Sequence, residues 1–290
     1  MLATLAIISG LGLGSMYGLL ALGFHVTYTV SSTVNFAQGS AMMLGAVLCY
    51  TFAVTWGWHM PVSIGLSLLL CAVWGLLVER FTVRPFVRRG STAWLMATLA
   101  VGMVLENVVL FTFGKEPRSL PSPLATQAWS VAGLGVAPLQ ILIPLLGLGV
   151  ALALYVVWRW TLHGKAWLAV VQNRDAAQLM GINVTGAVAA AYALSTLFAG
   201  AAGMLIAPLF NVSADMGTLF GIKAFAVAIL GGMTSAWGVM LAGCCYGIME
   251  ALITALCGSA YTQIVTFTLV IMALASRPHG LFGRAGVHKV

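Results

Sequence analysis

Two carboxylates stand where a carboxylate is costly. Glu106 and Glu250 both lie inside long apolar stretches. An ionisable side chain at membrane depth marks a proton path, an ion pair or a bonded helix end. Both functional and structural roles are open to Glu106. Glu250 sits beside Gly247 and Ala251 on a face of small residues, which favours a structural role. A second polar group occupies the irregular run from Ser31 to Ser40, which holds Asn35, Gln38 and Ser40. An amide facing lipid loses its hydration with nothing in return. Non-helical backbone at that depth is tolerated where it is buried in protein or lines a wet cavity. Asn35, Gln38 and Ser40 are therefore candidates for the wall of a translocation path. The other reading is a cap at the membrane surface, with Asn35 satisfying free helix N–H groups. Gly231 and Gly232 interrupt a later apolar stretch and are the counterpart candidates in the second half.

Other chemistry is missing from the pattern. His25, His59, His163, His279 and His288 have no evident acid partner, and no nucleophile stands beside a base. No phosphate-binding GxxxxGK[ST] occurs: Gly164-Lys165 lacks both the upstream glycine and the following hydroxyl. Cys49, Cys71, Cys244, Cys245 and Cys257 fall inside apolar segments without metal-ligand spacing, and read as small packing residues. The expectation is a chain that is not an enzyme and needs neither metal nor cofactor.

The elements that must position these groups follow from composition. Only 7% of the 290 residues are charged and 61% are hydrophobic, with a mean hydropathy of +1.03. A soluble domain carries about 25% charged residues, so the solvent here is lipid. A crossing takes about 20 apolar residues. Apolar segments run over 2–24, 38–56, 61–79, 92–113, 138–158, 185–207, 220–256 and 260–276. The segment 220–256 is too long for one crossing and reads as a broken helix or tight hairpin. No basic region precedes the first segment and no small-residue cleavage site follows it, so Leu2–Phe24 is expected to remain as a span. The segments are continuously apolar, without the alternation of a lipid-facing barrel. The expected fold is all-α: a polytopic membrane bundle of roughly eight to ten elements with broken helices, forming one transmembrane domain over 1–290. Glycines at small-xxx-small spacing, such as Gly10, Gly14 and Gly18 or Gly243 and Gly247, let backbones approach where lipid supplies little drive for association.

The charges are clustered. Arg80, Arg84, Arg88 and Arg89 form one basic island, Arg159, Lys165 and Arg174 a second, and Arg277, Arg284 and Lys289 a third. The net charge of +7 is read as a topology signal, not as a nucleic-acid surface. The islands belong on the cytoplasmic side, and the C-terminus with them. The stretches 114–137 and 208–219 belong outside; the side of the N-terminus stays open. Lys223 reads as an interfacial anchor, with Asp215 as one possible partner. Trp56, Trp58, Trp94, Trp129, Trp158 and Trp160 lie near segment ends, as interfacial belts do.

The loop 161–184 is the richest polar stretch. Lys165–Met180 has good helix formers and no proline, and Gly181 suits a left-handed C-terminal cap. Ala166, Val170, Ala177 and Met180 share one face, while Lys165, Gln172, Arg174, Asp175 and Gln178 supply polar contacts elsewhere. Such a helix fits a groove on a partner, or lies at the lipid headgroups.

The run Asp175-Ala176-Ala177, with Gly181 four residues later, resembles the EAA-xxx-G loop of ABC importer permeases, with Asp in place of Glu. Gly12 to Gly23 followed by Val34-Asn35-Phe36-Ala37-Gln38-Gly39, then Gly221 to Ser235, then Arg277-Pro278-His279-Gly280-Leu281-Phe282-Gly283-Arg284, resemble blocks of the branched-chain amino acid permease family of the LivH type, in order and over essentially the whole chain. That family often has His where this chain has Gln38. The resemblance implies the ABC importer permease fold and an amino-acid permease subunit, branched-chain or aliphatic in substrate, in a bacterial inner membrane. It implies two ATPase subunits, a second homologous permease and an external (periplasmic or extracellular) solute-binding protein. It makes Lys165, Arg174, Asp175, Ala176, Ala177 and Gly181 the residues that couple to the ATPase. Urea or short amides are the alternative cargo. An ion-coupled secondary transporter, with Glu106 or Glu250 taking protons, is the rival mechanism.

Overall fold

Breaks in the apolar pattern become breaks in helix. The computed structural model describes residues 2–122, 125, 129–131, 134–277 and 280–282. Helix α1 spans Leu2–Ser31, α2 Gln38–Tyr50, α3 Met60–Leu77, α4 Arg84–Arg88, α5 Trp94–Phe113 and α6 Pro138–Trp160. Helix α7 spans Leu162–Gln172, α8 Arg174–Leu179, α9 Val184–Ile206, α10 Met216–Gly231, α11 Ala236–Cys257 and α12 Ser259–Ser276. Wider π-helical turns at Thr51–Thr55 and Val78–Val83 prolong α2 and join α3 to α4. Eight helices among the described residues are long and apolar enough to cross a membrane, and Met216–Gly231 is a shorter apolar helix. The fold is an all-α polytopic bundle. One departure is a small antiparallel hairpin of β1, Trp129–Val131, and β2, Leu134–Val136, in the loop expected outside. Arg284 and Lys289 of the third island, with Pro278, His279 and Gly283, lie outside the described residues.

Several hydroxyls that interrupt apolar segments are satisfied within their own helices. Ser15 donates to Leu11 O, Thr51 to Val47 O and Thr254 to Glu250 O, the back-bonding that makes Ser and Thr tolerable inside a helix. The break in 220–256 is a tight turn. Gly232 takes φ +80 and closes α10. Ser235 then caps α11, its Oγ accepting from Gly238 N at 3.1 Å.

The chain falls into two compact units: Met1–His25, Ser122–Ala151 and Lys223–Val290 form one, and Val26–Pro121 with Leu152–Ile222 the other. Helices α1, α6 and α10 run from one unit into the other. In the first unit the glycine stripe of α1 meets that of α11 in antiparallel order: Gly10 lies against Gly247, Gly14 against Gly243, Gly18 against Met240. In the second, α9 packs on both α2 and α3. A Cβ on Gly45 would come within 2.5 Å of Gly200 Cα. Gly45→Ala is therefore expected to cost about 1–3 kcal/mol by overpacking, read as a lower melting temperature in detergent. Gly65 has nothing within 4 Å of its would-be Cβ, so Gly65→Ala should show no loss. Equal behaviour of the two variants would mean that α2 and α9 do not meet backbone to backbone.

Candidate functional site

The run between α1 and α2 is a buried, non-helical passage. Ser32, at φ 53, ends α1. Asn35 then makes a turn on itself: its Oδ1 accepts from Ala37 N at 3.1 Å, and its carbonyl accepts from Gln38 N. Asn35 and Gln38 are both fully buried. Gln38 is spent on α9, its Nε2 donating to Ser195 O at 2.9 Å and its Oε1 accepting from Ser195 Oγ at 2.7 Å. Asn35 Nδ2 has no hydrogen-bond partner. Of the two amides, Asn35 thus keeps a donor for something else, while Gln38 fastens the start of α2.

Ser40 meets one of the two carboxylates. Its Oγ donates to Glu106 Oε1 at 3.3 Å, and Thr218 Oγ1 lies 2.8 Å from both carboxylate oxygens. Gly39 packs against the backbone of Gly217 and Gly221. Helices α2, α5 and the start of α10 therefore converge at Ser40–Glu106–Thr218. Sequence reasoning named Ser40 and Glu106 separately and missed Thr218. Its signal was faint: one hydroxyl beside Gly217, in a segment read only as an external connection.

Gly231 and Gly232 belong to the other unit. Gly231 packs against Gly238 and Val239, and Leu281 N donates to Leu230 O at 2.7 Å. This break closes on protein backbone. Nearby, Glu250 and Lys223 form an ion pair of 2.5 Å, each residue 7% exposed. Lys223 Nζ also lies 5.8 Å from the centroid of the Tyr17 ring. Lys223 is thus not an interfacial anchor and does not pair with Asp215. The apolar length around it placed its ammonium beyond reach of water, and a carboxylate on α11 answers it. Glu250, expected on a face of small residues, is held there by this ion pair.

The loop 161–184 is two helices where one was expected. Asn173 leaves helical geometry at φ −157 and caps α8, its Oδ1 accepting from Ala176 N at 3.0 Å. An asparagine competes with the helix for backbone groups, and here that competition wins. Gly181, at φ +82, ends α8 in a Schellman cap: Gly181 N donates to Gln178 O and Ile182 N to Ala177 O. Of the residues expected on one face, Val170 and Ala177 are buried, but Met180 is 83% exposed, as is its neighbour Leu179 at 89%. The turn at Asn173 rotates the last residues of the pattern out of the buried face. Lys165, Asp175 and Ala176 are exposed. Arg174 turns inward, and its Nη2 donates to Val30 O, next to the end of α1, at 2.9 Å.

The two ends of the second unit carry different groups. Arg118 and Val212 exchange backbone hydrogen bonds, joining the two stretches read as external. Ser31, Arg84, Arg88 and Arg174 line one cavity at the other extreme of their helices, uniting the first two basic islands.

Comparison with known proteins places this geometry. The family model "Branched-chain amino acid transport system / permease component" matches residues 6–274. The high-affinity branched-chain amino acid transport system permease protein LivH of Escherichia coli K12 is 29% identical, covering 97% of this chain and 96% of that one. BraD of Pseudomonas aeruginosa, a permease protein of the same description, is also 29% identical, over 98% and 97%. Among solved structures, PsaBC from Streptococcus pneumoniae in complex with Fab shares the fold, with a TM-score of 0.50, 12% identity and coverage of 93% and 90%. With residues 6–274 matched and the helical breaks where the pattern requires them, this multi-pass membrane protein belongs to the family of branched-chain amino acid transport system permease components.

Proposed function

We propose that the chain is the membrane-spanning subunit of an ATP-driven ABC importer in a bacterial inner membrane, and that it carries branched-chain or aliphatic amino acids. Two ATPase subunits supply the energy, a second homologous permease completes the path, and an external binding protein delivers the solute. The basic islands face the cytoplasm. The observation that carries this reading is the link from Arg174 to Val30. On one side of the link, Leu179 and Met180 stand exposed on a polar loop, as a greasy edge fitted to a groove on a partner. On the other, the chain continues directly into the buried run of Asn35, Gln38 and Ser40. When the ATPases close, α8 moves, Arg174 moves with it, and the end of α1 shifts the broken segment behind it. Lys165, Asp175, Ala176, Ala177 and Gly181 form and orient the partner-facing element; Asn35 lines the path.

The test is uptake by the reconstituted complex in vesicles. Leucine or valine should enter only with ATP inside and should be indifferent to a protonophore. Uptake that collapses with the proton gradient and persists without ATPase subunits would end this reading. Urea entering in place of leucine would change the cargo and keep the machine. Asn35→Leu should reduce uptake about tenfold, the scale of one lost hydrogen bond to a charged group, with ATPase subunits still bound. Loss of assembly instead would give Asn35 a packing role.

A further inference from the structure

One end of the second unit holds a cavity next to the Arg174–Val30 link. Its volume is about 130 Å³, and Arg84, Arg88 and Arg174 line it together with Glu79, Ser31 and Thr185. Glu79 is buried, yet among the described residues it makes no ion-pair contact with these guanidiniums. Arg84 Nε is buried with no hydrogen-bond partner. The first turn of α9, at Val184 and Thr185, also faces the space, and its N-cap bond from Asn183 serves only Gly186 N. Three cations against one carboxylate leave a cavity two charges positive, with a free guanidine donor and the first-turn N–H groups of a helix, which have no partner within the helix itself. Those are the requirements for holding a phosphate oxyanion.

The rest of the lining names the source. Val83, Val87 and Val188 form an apolar side, and Phe81, on the π-helical turn beside it, is 69% exposed. A charged floor next to a hydrocarbon wall, at the end of membrane-crossing helices, suits a headgroup whose acyl chains continue along the wall. We propose that this cavity binds the phosphodiester of a membrane lipid, with Arg84 and Arg88 as its principal donors. Glu79 opposes it: the carboxylate weakens the hold on any anion and keeps the site exchangeable.

The test is native mass spectrometry and thermal unfolding of the purified transporter with three probes. These are phosphatidylglycerol, the phosphate-free digalactosyldiacylglycerol, and inorganic phosphate. Phosphatidylglycerol should be retained and should raise the unfolding midpoint, while the galactolipid does neither. Arg84→Gln with Arg88→Gln should lower retention about tenfold or more, as expected for losing charge-assisted bonds. Glu79→Gln should raise retention, an effect that a folding defect cannot produce. Equal retention of both lipids, unchanged retention in the double variant, a fall in Glu79→Gln, or displacement of the lipid by inorganic phosphate would each overturn the proposal. The last outcome would make the ligand a soluble phosphate.

Discussion

Lys223→Met is expected to destabilise the protein by about 3–5 kcal/mol, the cost of leaving one member of a buried ion pair without the other. The Glu250 carboxylate would remain among Tyr17, the glycine face of α1 and the apolar body of α11, with no cation at 2.5 Å. Glu250→Leu alone should be comparably harmful. The double variant Lys223→Met/Glu250→Leu should recover most of the loss, because replacing both members of a buried pair by apolar groups is often neutral. Melting temperature and yield of inserted protein measure both. The same double variant separates transport mechanisms. If Glu250 carried protons, uptake would vanish in a well-folded protein; with a structural pair, uptake returns with stability. Additive losses in the double variant would show that the two residues do not act as a pair.

Arg174→Gln carries the second large effect. A bond from a guanidinium to a carbonyl is worth about 1.5–3 kcal/mol, which corresponds to roughly ten- to hundredfold in an equilibrium. The variant should still bind the ATPases, because Leu179, Met180 and Asp175 keep their exposure. ATP hydrolysis should continue while solute uptake per ATP falls at least about tenfold. Simultaneous measurement of phosphate release and uptake in vesicles checks this. An unchanged ratio would remove Arg174 from the transmission path, and loss of ATPase binding would make it part of the docking surface.

The crossings were legible because lipid imposes a strong rule on composition. Runs of about twenty apolar residues had no other use, and Gly232 and Gly181 marked places where φ turns positive. What stayed hidden was pairing. Small-residue stripes told that α1 and α11 are helices with close neighbours, but nothing in either stripe named the other. Lys223 and Glu250 are 27 residues apart on helices whose relative rotation no local pattern fixes, so Lys223 was assigned to the interface. The split at Asn173 was missed because one side-chain cap outweighed a run of good helix formers. The inward turn of Arg174 was missed because a loop arginine ordinarily faces water. In the polar segment 31–40 only the geometry distinguishes Gln38, already committed to Ser195, from Asn35, whose Nδ2 is not.

The contact of α1 with α11 has a mechanical consequence. With Gly10, Gly14 and Gly18 set against Gly247, Gly243 and Met240, little side-chain cushion lies between the two rods. Neither can roll about its own axis without driving a larger residue into the other's spine. The pair must travel as a single stiff plate, and any bending during a transport cycle has to be taken up elsewhere along the chain.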